Sequence, residues 1–412
     1  MRIYNNIVVG SGPIGNHIFN KLKNNTLIIT GKTKKKINSK NIHPKIRLEL
    51  KKKSEKVADL IYSKKNNFFL YTSAEIGGLT NYWGGQFFSY KKNENWPKVI
   101  FKNFSNYQKN IKIINKMYPV IESKTIKQIK LNEFIINQLL PPIFKKRIVN
   151  KEELKKKAKD KLVDDRVVSF KKIKNNLIEV ITEKKTYICR KLILCSGPIG
   201  NAFILLRSFK KINYLKFKDD NPRMIFGLNF GKKKYLINKQ DKLMNFDIIQ
   251  NNKLLAYTTI YNIDPNHFNK FFRPIISFFR NFLRMFFFYG QFWVSDEYNE
   301  IKLTRSNSNL TLTAQTINPK KNDITIIKKL SQIGFRVFKI LKLKFAYGFH
   351  YHCLKINYQG KLFSFDQFMN KLNLKNNVYC FDSSVIEKIA LKPPTKTYLA
   401  TANYLLNKKL KN

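Results

Sequence analysis

Apolar and polar positions change their period several times along this chain. Ile7, Val8 and Val9 form a short apolar run, and Ile18, Phe19 and Leu22 then recur at helical spacing, which predicts a buried strand followed by an amphipathic helix. Thr26-Leu27-Ile28-Ile29-Thr30-Gly31 predicts a second strand. Trp96 to Tyr118 reads as helical and aromatic, and residues 123–160 as lysine-rich and helical. From Arg166 the pattern becomes strand-like: Arg166-Val167-Val168, Leu177 to Ile181, and Thr186 to Cys189 after the charged turn Glu183-Lys184-Lys185. An apolar strand, Lys191 to Cys195, follows and leads into a helix carrying Phe203, Leu205 and Leu206. Residues 211–345 hold short alternating strands around Leu254 to Ile260 and Leu310 to Thr316, with a Phe-rich helix between them. Asn376 to Val385 is a strand ending in Asp382-Ser383, and Pro394-Thr395 open a C-terminal helix, because proline suits a first helical turn.

The first strand-to-helix junction carries chemistry. In Gly10-Ser11-Gly12-Pro13-Ile14-Gly15, Gly10 permits the sharp turn, Gly12 leaves room for a pyrophosphate, and Gly15 lets helix pack on strand. The first helical turn aims free N–H groups and the positive end of its dipole at an anion. An acidic residue normally closes the second strand of such a unit and holds the adenosine ribose; Thr30 stands there, and its hydroxyl is the remaining ribose contact. Lys32 and Lys34 to Lys36 read as a solvated loop, with a 2′-phosphate contact as the alternative. Ser196-Gly197-Pro198-Ile199-Gly200 makes a second such junction, a second place where backbone can approach a cofactor. Gly77-Gly78-Leu79-Thr80-Asn81-Tyr82-Trp83-Gly84-Gly85 suits neither helix nor strand; it reads as backbone pressed against a flat ligand, or as a structural turn around a buried Trp.

Composition narrows the partners. The net charge is +53, yet the lysines are spread through the whole chain with no nucleic-acid-binding motif, so nucleic acid is not expected, while attraction to anionic membrane surfaces is. Cys189, Cys195, Cys353 and Cys380 lack metal spacing and read as reduced, mostly buried thiols of a cytoplasmic protein, with no metal expected. Met1 leads directly into the first strand, so no signal peptide is expected, and nowhere do eighteen uninterrupted apolar residues form a membrane span.

These blocks, in this order, resemble the glucose–methanol–choline (GMC) family of flavin-dependent oxidoreductases, and most closely its members in bacterial sugar and polysaccharide pathways. The resemblance covers about the first hundred residues, residues 165 to 208 and about the last seventy. It implies an α/β (α+β overall) architecture, a Rossmann-like FAD-binding domain assembled from residues 1–100, 161–210 and 346–412. Residues 101–160 and 211–345 would form a substrate domain of antiparallel sheet and helices. The cofactor contacts it implies are Gly10, Ser11, Gly12, Pro13, Ile14, Gly15, Thr30, Asn81, Trp83, Gly84, Gly85, Val167, Ser196, Gly197, Asp382 and Ser383. Where some members carry a histidine that links the flavin covalently, this chain has Tyr82, so non-covalent FAD is expected. The family's catalytic histidine falls at His350, with His352 as the fallback, and Cys353 and Leu354 stand where Gly and Thr are usual. Its second catalytic position is Pro393.

The activity so implied is oxidation of an alcohol group of a sugar or related polyol, free or carrier-linked, by a histidine base with hydride passing to flavin N5. Two other readings remain: a flavin-binding member without turnover, and a basic membrane-surface protein. Residues 268–293 bear on the last. Lys270, Arg273, Ser277, Arg280, Asn281 and Arg284 form one polar stripe in a segment otherwise dominated by Phe, which reads either as a buried helix or as an interfacial one resting on the inner face of a membrane.

Overall fold

The computed structural model describes residues 2–22, 25–31, 60–62, 73, 76–82, 85–142, 144, 148–220, 223–230, 243–262, 274, 278, 286–295, 298–306, 309–316, 321–342, 351–388 and 391–410. Chain order begins β1 (Ile3–Val9), α1 (Pro13–Leu22), β2 (Thr26–Thr30), β3 (Leu60–Tyr62), α2 (Lys98–Phe101) and α3 (Phe104–Met117). It continues with β4 (Lys124–Leu131), β5 (Phe134–Leu140), α4 (Lys151–Ala158), β6 (Leu162–Asp164), β7 (Val167–Lys172), β8 (Ile178–Thr182), β9 (Thr186–Leu194) and α5 (Gly197–Ser208). Then come β10 (Ile212–Asp220), β11 (Arg223–Asn229), β12 (Leu243–Gln250), β13 (Lys253–Asn262), β14 (Phe287–Val294), β15 (Tyr298–Ser306), β16 (Asn309–Thr316), α6 (Lys321–Gln332) and β17 (Phe335–Lys342). Last are β18 (His352–Tyr358), β19 (Lys361–Ser364), α7 (Phe365–Lys371), β20 (Val378–Cys380) and α8 (Thr395–Leu410).

The first sheet has the order β6-β2-β1-β9-β8-β7. Strands β6, β2, β1 and β9 run parallel, and the far edge of β9 is shared, with β8 antiparallel along its first half and β20 parallel along its second. Both faces are covered, which is why β1 and β2 read as unbroken apolar runs. Val8, Ile28 and Ile193 pack under α1, α3 and α8, and Val9, Leu27 and Leu194 pack on the other side toward α5 and the second sheet. That second sheet has the order β19-β18-β10-β15-β16-β3. The third, β17-β11-β14-β13-β12-β5-β4, is antiparallel throughout and buries one face against α6. This is the α/β architecture expected, a Rossmann-like layer gathered from discontinuous segments together with antiparallel sheets.

Two local expectations are corrected. Residues 124–140 form the hairpin β4–β5 rather than helix: Asn132 adopts φ 53, which turns the chain, and the β-branched Thr125, Ile126, Ile129, Ile135 and Ile136 favour strands over helix. Among the described residues that follow, helix is confined to α4 and a 3₁₀ turn at Lys159–Lys161; α4 is started by Asn150, whose side chain accepts from the Glu152 and Glu153 amides. Residues 287–293 belong to β14, with Phe288, Phe292 and Val294 in the core against α6, so the Phe-rich helix does not extend that far. Most of 268–286 lies outside the described residues. Among the described residues no helix is long and apolar enough to cross a membrane, and no His, Cys, Asp and Glu side chains gather as a metal site. The four cysteines are free and buried.

The third sheet is fastened to the segment entering α8. Buried Lys392 places Nζ 2.5 Å from Glu94 Oε1 and 2.8 Å from Asp247 Oδ2, and Tyr90 donates to the Lys392 carbonyl. Burial opposes this lysine's charge, but the two carboxyls outweigh it and hold its pKa above the ordinary value.

Candidate functional site

Strands β1 and β9 are parallel neighbours with Val9 opposite Leu194, so the turns that follow them emerge at the same edge of the sheet. There they open on a cleft of about 300 Å³. Of the expected cofactor contacts, Gly10, Ser11, Gly12, Pro13, Ile14, Thr30, Val167, Ser196, Gly197, Asp382 and Ser383 line it, brought together from five separate stretches of sequence.

In the first turn each glycine has its own reason. Gly10 adopts φ 100, and a Cβ there would lie 2.5 Å from the Cys195 carbonyl oxygen. A Cβ on Gly15 would lie 1.8 Å from the Gly10 carbonyl oxygen, so this residue sits beneath the turn rather than in the cleft wall. A Cβ on Gly12 would meet nothing within 4 Å; it would project into space left for a ligand. The hydroxyls of Ser11 and Thr30 are 2.5 Å apart, and since only one of them donates in that contact, the other keeps its proton for a group in the cleft. Asp165 lies beside Thr30 in the cleft wall, its amide donating to the Thr30 carbonyl at 2.9 Å. Its carboxyl is occupied by Thr182 Oγ1, the Arg166 amide and the Lys184 amide.

The second turn is tied to the end of β20. Asp382 Oδ2 accepts from the Gly197 amide at 2.7 Å and from Asn201 Nδ2 at 2.9 Å, while its Oδ1 accepts from the Ser384 amide. Burial pushes the Asp382 carboxyl above its ordinary value, against these bonds, which favour the ionised form. Ser196 Oγ donates to Asn201 Oδ1 at 2.6 Å, closing the network. Gly197 adopts φ 75, and a Cβ on it would meet nothing within 4 Å.

A 3₁₀ turn, Gly78–Tyr82, crosses the first glycine turn. The Gly77 amide donates to the Ser11 carbonyl, and Gly78, Leu79 and Thr80 line the cleft. Asn81 belongs to this turn. Gly85 is buried outside the lining, its carbonyl accepting from the Phe144 amide. Trp83, Gly84, His350, Lys32 and Lys34 to Lys36 lie outside the described residues. His352 is a buried residue of β18 opposite Lys218 of β10 and does not line the cleft; its neighbour Tyr351 does. Cys353 adopts φ 57, the left-handed conformation that glycine takes most readily, at the position where the resembled pattern has glycine.

The cleft also includes Tyr351 and Tyr398, which pattern reading did not single out, and Thr395, which it read as the start of the C-terminal helix. Thr395 and Tyr398 belong to the first turn of α8, so the Pro394-Thr395 helix start was the available signal for Tyr398. Burial and the carboxyls of Asp220, Asp219 and Asp382 hold the Tyr398 hydroxyl well above its ordinary pKa, so it stays protonated.

Adenosine belongs at the β2 end of such a cleft and pyrophosphate at the start of α1, so the remaining half of a dinucleotide runs toward Asp382, Thr395 and Tyr398. No protein-family model and no curated protein sequence matches the chain. Among solved structures its fold is similar to that of pyridoxine 4-oxidase from Mesorbium loti, a GMC-family FAD oxidoreductase, with a TM-score of 0.56 over 99% of both chains at 9% identity. Partial likenesses are a tetracycline destructase (TM-score 0.35, 9% identity, 100% of this chain and 82% of that one) and a bacillithiol disulfide reductase from Staphylococcus aureus (TM-score 0.20, 17% identity, 48% and 43%).

Proposed function

We propose that this protein is an FAD-dependent oxidoreductase that oxidises an alcohol group of a sugar or related polyol, free or carrier-linked. The observation that supports it best is the convergence of two glycine turns, the 3₁₀ turn and the start of α8 on one cleft. FAD bound there supplies the hydride acceptor. The start of α1 would hold the pyrophosphate, Thr30 and Val167 would face the adenosine end, and Asp382 and Ser383 would border the isoalloxazine. His350 takes the proton of the substrate hydroxyl, imidazole being the side chain whose unperturbed pKa suits that task near neutrality. A flavin-binding protein without turnover is the second reading, favoured by Pro393, which has no side-chain hydrogen bond to offer where the family places a second catalytic group.

The test is anaerobic. Purified protein should carry flavin absorbance, and a panel of sugars and polyols should include one that bleaches it. His350→Ala should keep the flavin and slow bleaching by about 10²–10⁴-fold, the range for loss of a general base, with His352→Ala milder. Yellow protein that no alcohol bleaches selects the second reading; protein that takes up no FAD defeats both.

A further inference from the structure

At its centre the third sheet is buried on both faces, and only one of them is apolar. Phe246 and Ile248 of β12, Ile260 of β13 and Phe292 of β14 pack with Ile326 and Leu330 of α6. Side chains alternate along a strand, so Asn245 and Asp247, Tyr257 and Thr259, and Gln291 and Trp293 take the other face, and all six are buried. The register sets them in two rows. Asn245 stands opposite Thr259 and Thr259 opposite Gln291, while Asp247 stands opposite Tyr257 and Tyr257 opposite Trp293. Each row spans two strand spacings, about 10 Å.

This polar face is turned toward segments that border the cleft. Asp247 meets Lys392, three residues before Thr395, and Tyr257 donates to Gln86 Oε1 at 2.7 Å, four residues beyond the 3₁₀ turn. With Phe88 packed edge-on against Tyr257, the second row is largely committed within the protein. The first row is not. Asn245 is 0% exposed, and among the described residues neither its Oδ1 nor its Nδ2 has a hydrogen-bond partner; Asp247 Oδ1, one step along the same face, has none either. An amide brings two donors and an acceptor, and leaving them unmade in the interior is costly, so Asn245 weakens the fold unless another molecule completes its bonds. Beside Thr259 and Gln291, Tyr261 and Tyr289 stand half-buried and stacked, ring centroids 4.9 Å apart, which sets an apolar surface next to the polar one.

We infer that the row Asn245, Thr259 and Gln291 recognises hydroxyl groups of the substrate other than the one oxidised, so that the substrate is a compound with several hydroxyls rather than a simple aliphatic alcohol. The inference rests on the alcohol-oxidising reading for the reaction, but the binding it describes stands apart from turnover. Neighbouring hydroxyls present a donor and an acceptor side by side, which one amide matches with Oδ1 and Nδ2. Thr259 and Gln291 extend that match along a ring or chain at one strand spacing each, about 4.8 Å. Asp247 Oδ1 is a further acceptor on the same face, which suits a hydroxyl and repels an anion. A site built to pair hydroxyls rejects an analogue that lacks them, because its own polar groups are then left unpaired.

Two substitutions test this on the purified full chain with FAD added: Asn245→Leu and Gln291→Met, each close to the original side chain in size. Calorimetric titration with glucose, galactose, sorbitol and glycerol, and with 1-butanol as the monohydric control, reads binding without turnover. At least one of the four polyhydroxyl compounds should bind the parent more tightly than 1-butanol does, and Asn245→Leu should weaken it by about tenfold or more while leaving 1-butanol unaffected. Flavin uptake should be unchanged, and the melting temperature of Asn245→Leu without ligand should rise by about 1–3 °C, because an unpaired buried amide has been removed. A fall in melting temperature would mean that the amide is bonded within the fold and would overturn the inference, as would parental affinity in both variants or a parent that binds none of the four. Gln291→Met should weaken the same compound and decides the matter if Asn245→Leu does not fold. The oxidase reading fails separately: protein that binds a polyol through Asn245, but whose flavin no polyol bleaches, keeps the recognition row and loses the turnover.

Discussion

Six residues occur twice in this chain in identical order. Ser11-Gly12-Pro13-Ile14-Gly15-Asn16 follows β1, and Ser196-Gly197-Pro198-Ile199-Gly200-Asn201 follows β9, its parallel neighbour. The local sequence is the same and the use is not. At the second turn the helix start already has its anion: the carboxyl of Asp382 accepts from the Gly197 amide and from Asn201. At the first turn, Asn16 only receives a bond from Asn20 of its own helix, and no acidic side chain among the described residues bonds the start of α1. The hydroxyls differ likewise, Ser196 turning inward to Asn201 and Ser11 pairing with Thr30 in the cleft. A helix start that is satisfied from within builds the wall; one left open remains available to an anion. What separates them is a single carboxyl supplied from residue 382.

The largest effect should come from the glycines that close each turn. Gly15→Ala drives a methyl into the Gly10 carbonyl, rigid backbone on both sides, and should cost about 3 kcal/mol or more. Gly200→Ala meets Ser196 Cβ and Oγ, both at 2.8 Å; Oγ can rotate away with the loss of its hydrogen bond to Asn201, but Cβ moves only with the turn, so the cost should be about 1–2 kcal/mol, below that of Gly15→Ala. Urea midpoints of the two variants measure the difference, and equal losses would erase the distinction drawn here.

Next in size is a pH effect present on one side only. After the repeat, the first turn has His17 where the second has Ala202. His17 is fully buried, and burial, with Lys21 nearby, lowers its pKa to about 4 against the opposing effect of Asn403. The unfolded chain takes up that proton near the ordinary 6.5. Stability is therefore full above that value and falls as pH drops toward 4, by about 3 kcal/mol in all. His17→Leu should flatten this part of the stability–pH profile; a profile of unchanged slope would place the acid sensitivity elsewhere.

Smaller still is the contrast between the two open glycines. Gly12→Val should fold normally yet weaken FAD binding by about a hundredfold, near 2.7 kcal/mol, because its methyls fill ligand space. Gly197→Val should instead lose about 1–2 kcal/mol of stability, since a side chain is strained at φ 75, with less effect on affinity. Fluorescence titration with FAD beside thermal melts separates the two, and the reverse pattern would make the second turn the phosphate site.

Much of this could be read from the chain because the features are local. Gly10 and Gly15 are demanded by backbone contacts within the turn and its neighbouring strand, and the alternation of β7, β8 and β9 is visible residue by residue. The hairpin β4–β5 was hidden because its exposed lysines read as a helix surface, while the residue that turns it, Asn132, is polar and unremarked in composition. Tyr351 and Tyr398 enter the cleft, and Lys392 meets Asp247, only through tertiary packing, for which no periodicity is diagnostic. Thr30 and Ser11 both line the cleft, but the bond between them has no sequence signature, because two hydroxyls nineteen residues apart share no pattern.

The shared edge of β9 has a consequence for the order of events at the ribosome. β1 is made before β9, so Ile3 waits 185 residues for its partner Ile188, and the cleft lacks a wall until β20 and α8 have been synthesised. At about 5–20 residues per second that is tens of seconds during which β1 and β2 present apolar, half-paired edges. A message truncated before Thr395 would release a chain with its first sheet assembled and its ligand site unfinished, a species for chaperones or proteases rather than one awaiting its cofactor.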